Sequence, residues 1–216
     1  MALVKMREQA YESFKQHLLA SHVRPGQFVS QRELVELTGM TLAAIRELVP
    51  RLEAEGLITT VPQRGMQIAA IDFNLVRDAY QFRIIIEKEA VAHCTRSAID
   101  AELEALRRQH QDVIDEALEK GVSKDLEARA QAVDWGFHDL VVDSLKNEIV
   151  AKAYRVNSLK IRLIRQELIR IEGHVVAVME EHLKIVGAMQ ARDVPGAVAA
   201  LLHHVDGARL RAMGMS

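Results

Sequence analysis

The sequence predicts a mainly α protein with a winged helix-turn-helix at its amino end and an all-α helical bundle after it. Two short helical patterns joined by a glycine-containing turn lie between Ser30 and Gly56. A β-prone segment with turn residues then runs to Ala70. After residue 73, stretches rich in Ala, Leu, Glu and Arg dominate, and only 4% of the 216 residues are aromatic, which favours helices.

The two short helices have clear start and stop signals. Ser30 opens a capping box with Glu33, and Gly39 ends the first helix. Thr41 caps the second helix, whose apolar residues keep helical spacing until Gly56. Such a pair of helices predicts a helix-turn-helix that binds DNA.

A helix before this pair and a wing after it complete the predicted domain. Val4 to Leu19 has the apolar spacing of a helix that packs beneath the other two. Leu57 to Val61 and Met66 to Ala70 are β-prone, and Pro62 to Gly65 between them is typical of a turn. We therefore expect a wing of two strands.

The rest of the chain is predicted to form a second, helical domain. We divide the chain into a DNA-binding domain of residues 1–70, a linker of residues 71–73 and an effector-binding and dimerisation domain of residues 74–216. Six helices are predicted in that domain: Leu75 to Thr95, Ala101 to Lys120, Leu126 to Leu145, Glu148 to Ile171, Val175 to Ala191 and Val194 to Met213.

Composition limits the class of protein. Residues 1–70 carry eight Lys/Arg against seven Asp/Glu, so DNA binding has to depend on a few well-placed arginines. The single cysteine, Cys94, excludes an internal disulfide. The start lacks a signal-peptide core, and the longest apolar run is about six residues, so we expect a cytoplasmic protein with no membrane contact.

Three segments of the first domain resemble the amino-terminal domain of the GntR family of bacterial transcription regulators: RPGQFVSQRELVELTGM, IRELVPRLEAEGLI and PQRG. Leu42 stands where that family commonly has an arginine, so contacts to the DNA backbone carry over better than the base-reading pattern. The resemblance implies DNA contacts from the two helices and the wing, at Arg32, Thr41, Leu42, Arg46, Gln63, Arg64 and Gly65.

Three of the nine histidines stand apart because of their helical neighbours. His138 lies four residues after Asp134, so both side chains share one helical face. His182 has apolar neighbours at helical spacing, and His204 lies among small side chains. Spacing alone leaves two interpretations open: histidines satisfied by hydrogen bonds or solvent, or one metal site.

The segments around these histidines resemble the metal-bearing effector domain, called FCD, of FadR-type GntR regulators in its VanR-like, six-helix form: DWGFHDLV, EEHLKIVGAMQARD and LLHHVDGARL. The resemblance covers residue 73 to the end. It implies the metal ligands Asp134, His138, His182 and His204, and it leaves His203 outside the pattern. Three imidazoles with one carboxylate suit a divalent ion, zinc first, with nickel or iron as alternatives.

Effectors of that family are typically small carboxylic acids, and four protein ligands leave a metal position open to one. Arg83 matches the arginine of the family's first effector-domain helix, which implies contact with the acid; the alternative is a surface ion pair with Glu87. Asn157 is a second effector-binding candidate. Arg162 could also face the cavity, but spacing does not decide it.

Together these patterns predict a homodimeric, ligand-responsive transcription regulator that binds pseudo-palindromic double-stranded DNA, with repression the expected response. One alternative is a metal-dependent enzyme that uses the same four ligands. It lacks an associated general-base motif and leaves the first seventy residues without a task. The other alternative is an architectural DNA binder whose helical domain only dimerises.

Overall fold

The structure, a computed structural model, describes the backbone of residues 2–168 and 173–214, and the side chains of residues 6–165 and 173–214. This part of the chain contains nine helices and three short strands. In chain order they are α1 (Ala2–Leu19), β1 (Phe28–Val29), α2 (Gln31–Thr38), α3 (Leu42–Ala54), β2 (Ile58–Val61), β3 (Gly65–Ile68), α4 (Phe73–Ser97), α5 (Asp100–Lys120), α6 (Lys124–Asp143), α7 (Glu148–Leu168), α8 (Val175–Gln190) and α9 (Val194–Ala212).

The predicted helix-turn-helix is confirmed down to its caps. The Ser30 hydroxyl accepts from the backbone N–H of Glu33, and the Glu33 carboxylate accepts from the backbone N–H of Ser30. Gly39 ends α2 with a φ of 67°, a conformation that glycine adopts without strain. Thr41 caps α3 by accepting from the backbone N–H of Ala44 at 3.3 Å. These local hydrogen bonds fix the turn between α2 and α3.

The wing is larger than predicted. A two-stranded wing was expected, but the sheet has three antiparallel strands in the order β1-β3-β2. Phe28 and Val29 form the extra strand by pairing with Gln67 and Met66 of β3. A two-residue strand is too short for alternation to reveal it, because its existence depends on the partner strand far along the chain.

The core of the amino-terminal part is completed by α7. Phe14, Leu34 and Leu48 are buried there, and Leu159 and Leu163 of α7 belong to the same apolar cluster. Helix α4 begins at Phe73, after the side chain of Asp72 accepts from the backbone N–H of Leu75 at 2.7 Å. The division at residues 71–73 stays a prediction, since apolar packing crosses it.

The helices α4 to α9 pack into the expected six-helix arrangement, and their ends lie within about two residues of the predicted ones. The predicted end of α7 at Ile171 lies outside the described residues. Helix α4 packs against α6, α7 and α9, while α5 packs against α8. No described helix combines the length and the apolar character needed to span a membrane.

Candidate metal centre and DNA-binding surface

The four predicted metal ligands converge on one buried point. Asp134 and His138 come from α6, His182 from α8 and His204 from α9, and each of these residues is at most 3% exposed. One ligand atom from each of the four lies within 4.8 Å of the others. The exposed His203 lies outside this group, as predicted.

Two of the three imidazoles are oriented by carboxylates. His138 Nδ1 lies 2.8 Å from Glu87 Oε2, and His204 Nδ1 lies 2.7 Å from Glu181 Oε2. A carboxylate can only accept, so each Nδ1 carries the proton and donates it. Each Nε2 therefore presents a bare lone pair to the shared point.

The third imidazole is oriented by another histidine. His110 Nδ1 lies 2.7 Å from the carbonyl oxygen of Leu106, so it donates to that oxygen. His110 Nε2 is then an acceptor, and it lies 3.0 Å from His182 Nδ1, which donates to it. His182 Nε2 is consequently a third bare lone pair.

The imidazole nitrogens and the Asp134 oxygen that face the shared point cannot form hydrogen bonds with one another. His182 Nε2 lies 3.2 Å from His204 Nε2 and 3.3 Å from Asp134 Oδ1, yet none of the three has a proton to share. Asp134 Oδ1 and His138 Nε2 are buried and have no hydrogen-bond partner among the described residues. Four acceptors around one point suit a divalent cation, and imidazole with carboxylate suits zinc, nickel or iron.

The protonation states also suit metal binding. Burial lowers the pKa of His138, and burial together with the neighbouring histidines lowers the pKa of His182 well below its usual value. Burial lowers the pKa of His204 to about 4. At neutral pH all three rings are neutral, which is the form that coordinates a metal.

Charged side chains compensate the buried carboxylates. Arg165 Nη1 donates to Asp134 Oδ2, which leaves Oδ1 toward the histidines. Arg83 Nε and the Tyr154 hydroxyl donate to Glu87 Oε1 at 2.7 and 2.6 Å. Burial acts to raise the pKa of Glu87, but Arg83 and His138 outweigh it and lower that pKa to about 2. Glu87 is therefore a carboxylate that accepts from three donors.

The two predicted effector-binding residues line a narrow cavity beside His138. Arg83 is 3% exposed, so its pair with Glu87 is a buried one rather than the surface pair considered from the sequence. Asn157 Nδ2 donates to the carbonyl of Ala79 at 3.0 Å. The cavity has a free volume of about 10 Å³, and its lining includes Arg83, Trp135, His138, Tyr154, Asn157 and Arg162.

Four residues that orient or compensate the site were not predicted: His110, Glu181, Tyr154 and Arg165. They contact residues that are distant in sequence; His110 and His182, for example, are 72 positions apart. Spacing along one helix cannot reveal such pairs. Glu87 had been noted only as a partner of Arg83, and its contact with His138 spans 51 positions.

The predicted DNA-contact residues of the helices lie on the surface. Thr41, Leu42 and Arg46 are exposed at the amino end and outer face of α3, and Leu42 is 42% exposed. Among the described residues Arg46 forms no ion pair, while Arg32 Nε of α2 lies 3.4 Å from Glu36 Oε1. The guanidinium of Arg46 is therefore available to DNA.

The wing turn is shaped by backbone conformation and by one aromatic ring. Gln63 and Gly65 have positive φ angles of 64° and 92°. A side chain at position 65 would begin 3.0 Å from the carbonyl oxygen of Val29, so glycine is required there. The guanidinium of Arg64 lies 4.1 Å from the centre of the Phe28 ring and stays exposed.

A winged helix-turn-helix joined to a helical domain with a buried polar site defines a ligand-responsive DNA-binding regulator. Comparisons with known proteins agree. Residues 6–68 match the model of bacterial regulatory proteins of the gntR family, and residues 78–207 match the FCD domain. The chain belongs to the GntR family of transcription regulators and carries the FCD domain.

A curated relative is similar to this chain in sequence, and two solved structures share its fold. The Nta operon transcriptional regulator of Aminobacter aminovorans is 29% identical over 188 residues, which are 86% of this chain and 84% of that protein. The structure of E. coli McbR/YncC covers 94% of both chains with a TM-score of 0.73 at 19% identity. The metal-free FCD domain of TM0439 covers 68% of this chain and 97% of its own, with a TM-score of 0.56 at 19% identity.

The family assignment favours a regulator over the metal-dependent enzyme considered from the sequence. The FCD domain is a metal-binding and effector-binding domain, and this chain has a buried Asp/His/His/His group in it.

Proposed function

We propose that this regulator senses a small carboxylic acid through a divalent metal ion held by Asp134, His138, His182 and His204. Zinc is the first candidate for that ion. The observation that carries the proposal is the set of buried acceptors that have no proton to share, next to a cavity lined by a buried arginine. The bound ion would supply an open coordination position to which a carboxylate oxygen can bind.

Arg83 and Asn157 are proposed to position the acid. Arg83 uses Nε for Glu87, which leaves the terminal N–H groups of its guanidinium as donors for a carboxylate. Asn157 lines the same cavity, and its Nδ2 already ties α7 to α4 through Ala79. A shift of the acid against Asn157 would therefore act on the packing between these two helices.

Helix α7 is proposed to carry the signal to the DNA-binding part. Asn157, Ile161 and Arg162 line the cavity, whereas Leu159 and Leu163 belong to the apolar core of the amino-terminal part, in which α7 packs against α1. Positions 159 and 161 are about 200° apart around a helix, so Asn157 and Ile161 lie on the face of α7 opposite to Leu159 and Leu163. Movement of α7 away from the cavity would change how the winged helix-turn-helix sits.

On DNA, we propose that a homodimer binds a pseudo-palindromic site and that the acid lowers its affinity, as for a repressor. Two-fold symmetry of the protein calls for two half-sites. The base contacts are assigned to Arg46, Leu42 and Thr41 of α3, with Arg32 and the wing residues Gln63, Arg64 and Gly65 at the backbone or minor groove. Coupling of about 1–3 kcal/mol would change operator affinity roughly 5- to 150-fold.

The test begins with protein as purified. Metal content is measured by mass spectrometry, the operator is selected from random DNA, and gel shifts with zinc-loaded protein are repeated with a panel of short acids. We expect bound metal, and an acid-dependent loss of DNA binding that disappears after chelation. Arg83→Lys should lose the acid-dependent change in DNA binding. Lysine keeps the positive charge but lacks the planar guanidinium that can donate two hydrogen bonds to one carboxylate.

The matched control is Arg77→Lys, which changes a half-exposed arginine of the same helix that pairs with Asp78. It should respond to acids like the wild type. The proposal is wrong if zinc-loaded wild-type protein binds its operator equally well with and without every acid in the panel, or if purified protein binds no divalent ion near neutral pH.

A further inference from the structure

Two buried hydrogen-bond donors in the cavity have no acceptor. Trp135 Nε1 and Arg162 Nε are both inaccessible to solvent and make no hydrogen bond with any described residue. The indole N–H and the guanidinium N–H can only donate, and a buried donor left unpaired costs about 1–3 kcal/mol. Both residues line the same cavity as His138 and Arg83.

Arg162 is loosely held in the lining of this cavity. Its guanidinium lies 4.2 Å from the centre of the Trp135 ring, and its Nη2 reaches Asp139 Oδ2 only at 3.4 Å. Arg155 lies closer to the same carboxylate, with Nη1 at 3.0 Å from Asp139 Oδ1. Asp139 is therefore shared, and the Arg162 charge is free to accept a better anionic partner.

The cavity lining brings together two complementary sets of groups. His138 belongs both to the lining and to the proposed metal group, in which Asp134 Oδ1 and His138 Nε2 are unpaired acceptors that suit a cation. Trp135 and Arg162 of the same lining are donors that need an acceptor. Trp135 and His138 are three residues apart on α6, so their side chains leave the helix about 5–6 Å apart. A short molecule can therefore reach both sets.

We propose that Trp135 and Arg162 form a second anchoring site, and that the effector is a short dicarboxylic acid of three or four carbons. One carboxylate would bind at the metal and Arg83, and the second would accept from Trp135 Nε1 and Arg162 Nε. A cation as the second anchor favours a carboxylate over a neutral group, because charge-assisted hydrogen bonds are the stronger ones. This inference rests on the proposed metal-dependent sensing of acids.

The free volume of about 10 Å³ sets the size class. It is roughly the space of one water position, so binding requires the cavity to widen, and longer or branched acids would require more widening. Arg162 and Trp135 are the lining groups with the weakest hydrogen bonding, so they are the ones that move at least cost. A compact acid that replaces Asp139 as the partner of Arg162 would offset the free-energy cost of that movement.

The chain offers a direct optical probe, because Trp135 is its single tryptophan. We would titrate full-length, zinc-loaded protein with succinate and with butyrate, which has the same number of carbons but lacks the second carboxylate. Succinate should change the tryptophan emission and bind about 10- to 100-fold more tightly than butyrate, the range expected for hydrogen bonds to a charged group.

The variants Arg162→Gln and Trp135→Phe should each lower succinate affinity more than butyrate affinity, which reduces the succinate preference to a few-fold. Trp135→Phe would be followed by calorimetry. Arg155→Gln is the matched control, since Arg155 also pairs with Asp139 but does not line the cavity, and it should keep the full preference. Circular dichroism and zinc content would establish that each variant is folded and loaded.

The outcomes separate the two proposals. Equal affinity of wild-type protein for succinate and butyrate overturns the second anchoring site but leaves metal-dependent acid sensing intact. The same holds if both variants keep the full succinate preference. If zinc-loaded protein binds neither acid nor their three-carbon counterparts, malonate and propionate, then acid sensing itself is wrong and the second anchoring site is wrong with it.

Discussion

Replacing His110 should weaken metal binding although His110 is not a metal ligand. It is buried, it donates to the Leu106 carbonyl and it accepts from His182 Nδ1 at 3.0 Å. In His110→Leu, the Nδ1–H of His182 loses its partner. The proton can then move to Nε2, which lies 3.3 Å from Asp134 Oδ1 and can donate to it. That proton would occupy the position that the metal needs.

The size of the effect follows from the loss of one orienting hydrogen bond. Loss of such an outer contact typically lowers metal affinity 10- to 100-fold, or about 1.4–2.7 kcal/mol. His110→Gln should recover most of the affinity, because its side-chain oxygen can occupy the position of the His110 Nε2 acceptor. His93→Leu removes a half-buried histidine of α4 outside the metal group and should leave the affinity unchanged.

Zinc affinity would be measured by competition with a chromophoric chelator, and cobalt absorbance would report on the geometry of the ligands. A purely structural role of His110 would lower the melting temperature of metal-free protein without changing zinc affinity or the cobalt spectrum. Wild-type zinc affinity in folded His110→Leu protein would refute the orienting role of this histidine.

Three further predictions concern the DNA surface and the metal ligands. Arg46→Ala should lower operator affinity by about 1–3 kcal/mol without unfolding the protein, which gel shifts and circular dichroism would check. Leu42→Arg should change the preferred operator, because an arginine can donate to guanine whereas leucine can only contact a thymine methyl; selection from random DNA measures this. Replacing His138 and His204 together should abolish the thermal stabilisation by zinc, about 2.7 kcal/mol at a free concentration of 100 Kd, whereas His203→Ala should keep it. A loss of stabilisation in His203→Ala would contradict the placement of His204 at the metal.

Local signals were sufficient for most of the fold. The caps at Ser30 and Thr41 and the stop at Gly39 are side-chain and backbone effects that act within one helical turn, so the sequence reveals them directly. Strand β1 was missed because its two residues gain their hydrogen bonds from β3, about forty positions away. Pairing over such a distance leaves no periodic pattern.

The candidate metal site likewise has some residues that the sequence indicates and others that only the structure reveals. Asp134 and His138 share one helical face, and the family resemblance pointed to His182 and His204. The groups that orient the three imidazoles come from other helices, and their only signal is three-dimensional. Periodicity likewise could not decide whether Arg83 pairs on the surface or inside, because the whole run from 82 to 86 is apolar around it.

In the proposed function, helix α7 would couple the sensing site to the DNA-binding part without direct contact between them. Arg162 and Ile161 line the cavity, and Leu163 is buried in the other core. Close-packed cores resist compression, so a cavity with room for roughly one water cannot accept an acid without displacing one of its walls. The α7 wall has the apolar contacts of Leu159 and Leu163 behind it rather than solvent. Under the proposed function, displacement of α7 would be absorbed by the apolar core that α7 shares with α1, and α1 in turn packs against α2 and α3, which carry DNA-contact residues.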